Sequence, residues 1–314
     1  MEVVLAQPRG FCAGVSRAIQ IVERALEIHG SPVYVFHEIV HNGHVVADLV
    51  RRGAVFVEDI ADIPRGAVTV FSAHGVANRI AEQAGRRGLR IIDATCPLVT
   101  KVHQQVQRYA RERYSIVVIG HPGHDEVEGT LGAVDAPMHV VSTVEEVSRL
   151  VLPDEERVAY VTQTTLSEDD VREIIAALER RYPGIVGPQL DDICYATRNR
   201  QHAVRSMVPG VDVILVVGAR NSSNSNRLCE VAKLQGVPAY LIEQASELHP
   251  EWIAGAARVG LTAGASVPEY LVTEVQQALR RLGATAVTQM QGLKETVTFR
   301  LPPLESFDLR RREA

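Results

Sequence analysis

Residues 3–30 read VVLAQPRGFCAGVSRAIQIVERALEIHG, and this stretch contains the pattern that recurs along the chain. Its first four residues form an apolar run that is typical of a buried strand. Residues 16–29 carry apolar side chains at helical spacing, and Gly30 follows directly, as is common after a helix. Cys12 lies between the two patterns. The stretch therefore predicts a strand, a cysteine-bearing loop and a helix, in that order.

The same alternation continues along most of the chain. Short apolar runs predict further strands at residues 33–36, 68–71, 91–92, 116–119, 158–161, 213–217 and 239–242. Amphipathic patterns predict helices at residues 42–52, 98–111, 167–181 and 222–235. Strands that alternate with helices predict an α/β protein with mostly parallel sheets.

Two more cysteines repeat the arrangement around Cys12. Cys96 and Cys194 also lie between a strand-like run and a helix-like run, and the successive separations are 84 and 98 residues. Each separation suits one small α/β unit, so the spacing favours three lobes around a pseudo-threefold axis. Such an axis would bring the three thiols together at its centre.

Bulk composition excludes several classes of protein. The formal net charge of the 314 residues is −5, which predicts no nucleic-acid surface and no membrane surface. The N-terminus lacks the basic and apolar regions of a signal peptide, so we expect a cytoplasmic protein. In that reducing compartment the four cysteines are expected to be ligands, nucleophiles or core residues rather than disulfides.

Polar side chains follow almost every predicted strand, where parallel sheets bind their ligands. The candidates are His37, His41, His74, His124, Glu126, Thr164, Ser222, Ser223, Asn224 and Ser266. Histidines, hydroxyls and a helix N-terminus suit an anion such as a diphosphate, and Glu126 is a candidate proton donor. A simple helix cap remains the alternative for Ser222, and a core position is expected for Cys229.

Several motifs are absent from the sequence. It contains no Gly-x-Gly-x-x-Gly after a strand, no Walker A sequence and no Cys-x-x-Cys. Three isolated cysteines can supply three corners of a cubane iron–sulfur cluster, or can hold a catalytic zinc ion together with a histidine. Their spacing does not decide between these two sites.

The ordered motifs resemble the 4-hydroxy-3-methylbut-2-enyl diphosphate reductase family. The matching blocks are Pro8-Arg9-Gly10-Phe11-Cys12-Ala13-Gly14, His37-Glu38-Ile39-Val40-His41-Asn42, Phe71-Ser72-Ala73-His74-Gly75, Asp93-Ala94-Thr95-Cys96-Pro97, Glu126-Val127-Glu128-Gly129-Thr130, Gln163-Thr164-Thr165, Asp191-Asp192-Ile193-Cys194-Tyr195, Asn221-Ser222-Ser223-Asn224 and Thr262-Ala263-Gly264-Ala265-Ser266. They occur in order and extend from residue 3 to about residue 270.

The resemblance implies a fold and a cofactor. Three α/β lobes are expected at residues 13–96, at 97–194 and at 1–12 with 195–282, followed by a C-terminal extension at 283–314. A 4Fe-4S cluster is expected on Cys12, Cys96 and Cys194, with one iron left open. The implied reaction is the two-electron, two-proton dehydroxylation of 4-hydroxy-3-methylbut-2-enyl diphosphate to isopentenyl and dimethylallyl diphosphate.

The resemblance also implies residue roles and partners. Glu126 is expected to deliver a proton, and Thr164 to orient it or the substrate hydroxyl. Diphosphate binding is expected of His41, His74, His124, Ser222, Ser223, Asn224 and Ser266. A ferredoxin or flavodoxin is the expected electron donor, and a monomer is expected.

One residue departs from the family pattern. Asp125 stands where many members have proline, and we expect its side chain to point to solvent. Two other classes of function remain as alternatives to the reductase. They are a zinc hydrolase or lyase, and a diphosphate-binding regulatory protein whose cysteines belong to the core.

Overall fold

The structure is a computed structural model that describes residues 1–188, 192–303 and 306–307, so Asp191 and the end of the predicted C-terminal extension lie outside it. The strands are β1 (Glu2–Leu5), β2 (Val33–Phe36), β3 (Ala54–Val57), β4 (Val68–Phe71), β5 (Arg90–Asp93), β6 (Ser115–Ile119), β7 (Met138–Val141), β8 (Val158–Thr162), β9 (Val213–Val217), β10 (Ala239–Ile242), β11 (Arg258–Ala263) and β12 (Ala286–Gln289). The helices are α1 (Ala13–His29), α2 (Gly43–Arg51), α3 (Asn78–Arg86), α4 (Pro97–Arg111), α5 (Asp125–Leu131), α6 (Val144–Arg149), α7 (Glu168–Arg181), α8 (Tyr195–Met207), α9 (Ser223–Leu234) and α10 (Glu269–Arg281).

These strands form three sheets, and every strand pair in them is parallel. The first sheet has the order β10-β9-β11-β1-β12, the second β3-β2-β4-β5 and the third β7-β6-β8. The prediction of an α/β protein with mostly parallel sheets is therefore confirmed.

Burial on both faces explains why the strand sequences are almost wholly apolar. In β9, Val213, Leu215 and Val217 belong to one hydrophobic cluster, while Ile214 and Val216 belong to another. Alternate residues of a strand point to opposite faces, so each face of the first sheet carries its own core. The third sheet is covered in the same way, with α4 packed against β6 and β8.

The chain forms two compact units. The first unit comprises Met1–Ala13, His41–Val45 and Cys194–Val297, and it contains the first sheet. The second unit comprises Gly14–Val40, Val46–Ile193 and the described residues from Thr298 onward, and it contains the other two sheets.

The lobe boundaries drawn from the sequence remain a prediction. Each predicted lobe holds one of the three sheets, but β12 lies in the predicted C-terminal extension and pairs with β1. No helix within the described ranges is both long and apolar enough to cross a membrane.

Candidate functional site

Three of the four cysteines lie at the beginning of an α-helix. Cys12 directly precedes α1, and Cys96 and Cys194 occupy the N-cap positions of α4 and α8. All three are half-buried thiols rather than disulfides. The N-terminus of a helix carries a partial positive charge, so each thiol lies where an anionic group is favoured.

Cys194 is further supported by a neighbouring threonine of α8. The backbone N–H of Thr197 donates to Cys194 Sγ at 3.4 Å, and Thr197 Oγ1 lies 3.2 Å from the same sulfur. Hydrogen bonds to a sulfur fix its direction. The N-cap geometry therefore orients this thiol for a ligand.

The backbone around Cys12 is anchored within the first unit. The N–H of Cys12 donates to the carbonyl of Ala265 at 3.1 Å. The next residue, Ala13, donates its N–H to Tyr195 Oη at 3.2 Å, and Tyr195 is the residue after Cys194. Burial raises the pKa of Tyr195 to about 12, so it stays a neutral phenol. Residues of one helix, α8, therefore form hydrogen bonds both with Cys194 and with the residue that follows Cys12.

Cys229 has a different environment, as the sequence predicted. It is buried in a hydrophobic cluster with Leu228 and Val231. Burial raises the pKa of the Cys229 thiol to about 12, which disfavours the thiolate. The prediction that Cys229 is a core residue is confirmed.

A buried carboxylate lies in the second unit. Glu126 belongs to the first turn of α5 and is 3% exposed. Its Oε1 accepts a hydrogen bond from the N–H of Thr164 at 2.6 Å, and its Oε2 accepts one from Thr164 Oγ1 at 2.9 Å. Thr164 therefore fixes the direction of the Glu126 carboxyl group.

His124 caps the helix that carries Glu126. Its Nδ1 accepts a hydrogen bond from the N–H of Glu126 at 3.1 Å. An accepting Nδ1 carries no proton, so the neutral ring is protonated on Nε2. This tautomer lets His124 Nε2 donate a hydrogen bond to an anion.

His74 lies beside this helix in the same unit. Its ring meets the His124 ring edge-on, with centroids 6.1 Å apart, and its Nδ1 lies 3.8 Å from Asp125 Oδ2. The N–H of Cys96 donates to the carbonyl of Ala73 at 3.0 Å, which ties Cys96 to the His74 loop. The second unit thus brings three predicted site residues and Cys96 onto adjoining segments.

Asp125 does not point to solvent as expected. Its side chain is 27% exposed, and its Oδ1 lies 3.1 Å from His37 Nδ1. This hydrogen bond raises the pKa of His37, with a further contribution from the charge of Glu58. His37 also has a φ of 60°, an uncommon backbone conformation for a residue other than glycine. The expectation was wrong because an imidazole within reach offers the carboxylate a better partner than water.

Polar residues of the first unit surround the end of β11. Asn224 Oδ1 accepts from the N–H of Ala265 at 3.0 Å, and Ser266 Oγ donates to the carbonyl of His41 at 2.9 Å. Asn224 is 4% exposed, and its Nδ2 group has no hydrogen-bond acceptor among the described residues. A buried amide donor without an acceptor is costly unless a ligand satisfies it.

Ser222 acts as a helix cap, the simpler of its two predicted roles. Its Oγ accepts from the N–H of Ser225 at 3.3 Å and from Ser225 Oγ at 3.0 Å. The cap fixes the start of α9, where Ser223 and Asn224 form the first turn. A direct contact between Ser222 and a ligand stays a prediction.

The predicted site residues divide between the two units. The first unit holds Cys12, Cys194, His41, Ser222, Ser223, Asn224 and Ser266. The second unit holds Cys96, His74, His124, Glu126 and Thr164. Each unit, taken by itself, therefore contains at least one of the three predicted cysteine ligands and some of the candidate anion-binding side chains.

Two charged residues near Cys194 received no predicted role from the sequence. Arg200 of α8 is fully buried, and Asp192, two residues before Cys194, is 6% exposed. Asp192 accepts from the N–H of Thr162 and lies 3.5 Å from Lys101 Nζ. No local pattern reveals such burial, because the partners of each residue lie far away along the chain.

Comparison with known proteins gives consistent results. The family model described as LytB protein matches residues 3–280. The Bradyrhizobium diazoefficiens protein named 4-hydroxy-3-methylbut-2-enyl diphosphate reductase 2 is 59% identical over 302 residues, which cover 96% of this chain and 98% of the relative. A Burkholderia mallei protein of the same name is 57% identical over 301 residues, covering 96% of this chain and 92% of the relative.

Solved structures agree with these relatives. The E-1-hydroxy-2-methyl-but-2-enyl-4-diphosphate reductase from Plasmodium falciparum superposes with a TM-score of 0.92 and 39% identity, over 99% of both chains. A second solved structure, titled (E)-4-hydroxy-3-methyl-but-2-enyl diphosphate reductase, has a TM-score of 0.64 and 34% identity. It covers 89% of this chain and 99% of its own.

Proposed function

Since the chain belongs to the LytB protein family, we propose that it is a reductase of 4-hydroxy-3-methylbut-2-enyl diphosphate in isoprenoid precursor synthesis. In the proposed reaction the allylic C–O bond breaks and the hydroxyl leaves as water. Two electrons and two protons are consumed, and the products are isopentenyl and dimethylallyl diphosphate. Family membership and the names of the relatives support this assignment.

The donor set fits an iron–sulfur cofactor. We assign Cys12, Cys96 and Cys194 as ligands of a 4Fe-4S cluster, because each is a half-buried thiol at the start of a helix. This shared position of the three cysteines is the observation that carries the proposal. When bound, the cluster supplies electrons and Lewis acidity.

Glu126 is assigned as the proton donor. Its carboxyl group is buried, so bulk water has little access to it. Thr164 donates to it through both a backbone N–H and a hydroxyl, so the carboxyl group is held in one orientation. A fixed acid delivers its proton to the leaving hydroxyl without first reorganising.

The diphosphate is assigned to the polar side chains that the sequence indicates for it. They are His41, His74, His124, Ser222, Ser223, Asn224 and Ser266. The Nε2–H of His124 and the unsatisfied Nδ2 of Asn224 support this assignment, since both are donors suited to phosphate oxygens.

The proposal includes partners that follow from the chemistry. Electrons that arrive one at a time require a carrier such as a ferredoxin or flavodoxin. A monomer and a cytoplasmic location stay predictions from the sequence, as does the absence of nucleic-acid and membrane partners.

Iron and acid-labile sulfide, measured on protein purified without oxygen, test the assignment. We expect about four of each per chain, as a cubane cluster requires. Cys12→Ser, Cys96→Ser and Cys194→Ser are each expected to abolish the visible absorbance. Cys229→Ser serves as the matched control and is expected to retain it, because the Cys229 thiol is buried in the core.

Other outcomes would contradict the proposal in distinct ways. One zinc ion per chain without sulfide would indicate a zinc hydrolase or lyase. Diphosphate binding without turnover, with all four serine variants binding normally, would indicate a regulatory protein. Loss of absorbance in Cys229→Ser alone would show that the ligands are misassigned.

A further inference from the structure

One fully buried charge of the first unit has no role in the proposed reaction. Arg200 lies in α8, and its relative exposure is 0%. A guanidinium is almost never fully buried unless each of its donors is satisfied and its charge is balanced. The partners of Arg200 therefore indicate what its burial achieves.

Arg200 binds the loop that carries Cys12. Its Nε donates to the carbonyl of Gly10 at 3.1 Å, and its Nη2 donates to the same carbonyl at 2.6 Å. The Phe11 carbonyl lies 3.4 Å from Nη2. The side chain thus donates hydrogen bonds to the backbone carbonyls of the two residues directly before Cys12.

The charge of Arg200 is balanced by a residue near the end of the chain. Glu295 accepts from Nη1 at 3.0 Å through Oε1 and from Nη2 at 3.2 Å through Oε2, and its side chain is 14% exposed. The second N–H of Nη1 donates to the carbonyl of Ala196 at 2.8 Å. All five donors of the guanidinium therefore have acceptors, and the carboxylate binds it in the bidentate manner that arginine favours.

Glu295 is itself held in place from two directions. Asn199 Nδ2, one residue before Arg200, donates to Glu295 Oε1 at 3.0 Å. Upstream in the same segment, a side chain at Gly292 would place its Cβ only 2.0 Å from the carbonyl oxygen of Gln7. The segment after β12 therefore packs directly against the beginning of the Cys12 loop.

The Cys12 loop depends on these contacts because its own conformation is unusual. Gly10 has a φ of +69°, and a Cβ there would lie 3.0 Å from the Val267 carbonyl oxygen. Only glycine adopts this backbone conformation easily. Glycine also has the most conformational freedom in an unfolded or detached loop, so it loses the most conformational entropy when the loop is ordered. The Arg200 contacts therefore add to the hydrogen bond from the Cys12 N–H to the Ala265 carbonyl in holding the loop in one conformation.

We propose that the Arg200–Glu295 ion pair is the positioning device that fixes the Cys12 loop against α8, and so fixes Cys12 relative to Cys194. Both cysteines then depend on one helix: Cys194 caps it, and Arg200 of the same helix holds the Cys12 loop. The inference rests on the proposed function in one respect, namely that the thiols hold a metal group. Groups that orient metal ligands in this way govern how firmly the metal is held.

The test compares the release of iron from reconstituted holoprotein during exposure to an iron chelator. Glu295→Ala removes the counter-charge of a buried arginine, which leaves the guanidinium uncompensated and drives it from the loop. We expect the visible absorbance to decay about tenfold faster than in the unsubstituted protein, or more. Hydrogen exchange of the amides at residues 10–13 is expected to accelerate, while that of β9 amides stays unchanged.

Glu269→Ala is the matched control. Glu269 forms an ion pair with Arg9 of the same loop, but its side chain is 54% exposed. Exposed pairs contribute little, so we expect its rate of iron release to stay within about twofold of the unsubstituted protein. Equal release from Glu295→Ala and the unsubstituted protein would overturn the inference. So would faster exchange in β9 as well as in the loop, because that pattern indicates general destabilisation.

A double variant covers the case in which Glu295→Ala does not fold. Arg200→Met with Glu295→Leu replaces the buried pair by apolar side chains, a change that often preserves stability. It also removes the hydrogen bonds to Gly10, so fast iron release from a stable double variant would support the inference, and slow release would overturn it. If the unsubstituted protein takes up no iron and sulfide, the proposed function fails. Loop exchange in the iron-free variants then still decides whether the ion pair anchors residues 10–13.

Discussion

Asp125 and Glu126 are neighbours in the sequence, yet their carboxyl groups meet different partners. Glu126 turns to Thr164 and is buried, whereas Asp125 turns to His37 and is partly exposed. Two adjacent carboxyl groups are thereby separated: one binds Thr164 in the interior, and the other binds a histidine. The burial and the hydrogen bonds of each carboxyl group therefore depend on which residue faces it, and not on its position in the sequence.

The contact between Asp125 and His37 gives a prediction for pH dependence. Asp125→Asn removes the hydrogen bond that raises the pKa of His37, so we expect the pKa of His37 to fall in a histidine NMR titration. A raised pKa in the folded state stabilises the protein below the unfolded value of about 6.5, and the effect is lost as the pH rises through the folded pKa. The destabilisation by Asp125→Asn should therefore be largest below a pH of about 6.5, where His37 is protonated in both states. It should vanish in alkaline solution, above the folded pKa of His37.

Glu58→Gln is the control for this prediction. The Glu58 carboxylate lies 3.8 Å from His37 Nε2, but its side chain is 83% exposed. Water screens such a charge, so the variant should lower the pKa of His37 less than Asp125→Asn does. An unchanged His37 pKa in Asp125→Asn would show that the contact has no electrostatic effect.

The surroundings of a residue were predictable from the sequence where a local motif determines them. The helix-start positions of Cys12, Cys96 and Cys194, and the core position of Cys229, follow from local patterns. The partners of Asp125 and Arg200 do not, because they depend on contacts such as Arg200 to Glu295 across 95 residues.

Two helices of the second unit, α5 and α3, approach each other closely. α5 ends beside the start of α3, where the N–H of Asn78 donates to the carbonyl of Gly132 at 2.7 Å. A Cβ at Gly132 would lie 2.0 Å from the Cβ of Ala77. Glycine is required here for space alone, and it lets the helix that carries Glu126 rest against the segment that follows His74.

Gly132→Ala should therefore destabilise the second unit. Overpacking of this kind costs about 1–3 kcal/mol, because neighbouring backbone must shift to admit the methyl group. The free energy of unfolding in urea measures the effect. Gly85→Ala within α3 is the control: no atom lies within 4 Å of its new Cβ, so its stability should be equal or slightly higher. Equal stability of both variants would contradict the close approach.

Element prediction succeeded where burial is uniform. β2, β4, β9 and β10 have the bounds that the sequence predicts, since apolar runs mark them clearly. The edge strands β3, β7 and β12 were missed; His139 in β7 and Thr288 and Gln289 in β12 interrupt their apolar patterns, whereas β3 is wholly apolar and its sequence does not explain why it was missed. β11 was missed although it is central, because Gly260 and Thr262 interrupt its apolar pattern.

At the scale of the whole molecule, contiguous and split parts of the chain should behave differently. The third sheet and both hydrophobic clusters that cover it lie within residues 97–194. The first sheet instead needs β1, which pairs with β11 on one side and β12 on the other. The predicted second lobe is therefore one continuous stretch of the chain that includes its whole sheet. The sheet of the predicted third lobe needs strands from separate stretches.

Isolated fragments test this difference. We expect a fragment of residues 97–194 to unfold cooperatively in thermal circular dichroism, because it keeps its whole core. A fragment of residues 195–297 should not, because its sheet lacks the strand between β11 and β12. Non-cooperative unfolding of the first fragment would show that the predicted lobe boundary is wrong. The threefold arrangement of the lobes stays a prediction from the cysteine spacing.

The central place of β1 has a consequence for how the protein is made. β1 ends at Leu5, but its partner β11 begins at Arg258. A ribosome adds roughly 5–20 residues per second, so the first strand waits on the order of ten seconds to a minute for its neighbours. Until those residues are made, the Cys12 loop has neither β11 nor Glu295 to hold it. A metal group that needs this loop in its folded conformation is therefore expected to bind only after residues 258–295 have been synthesised.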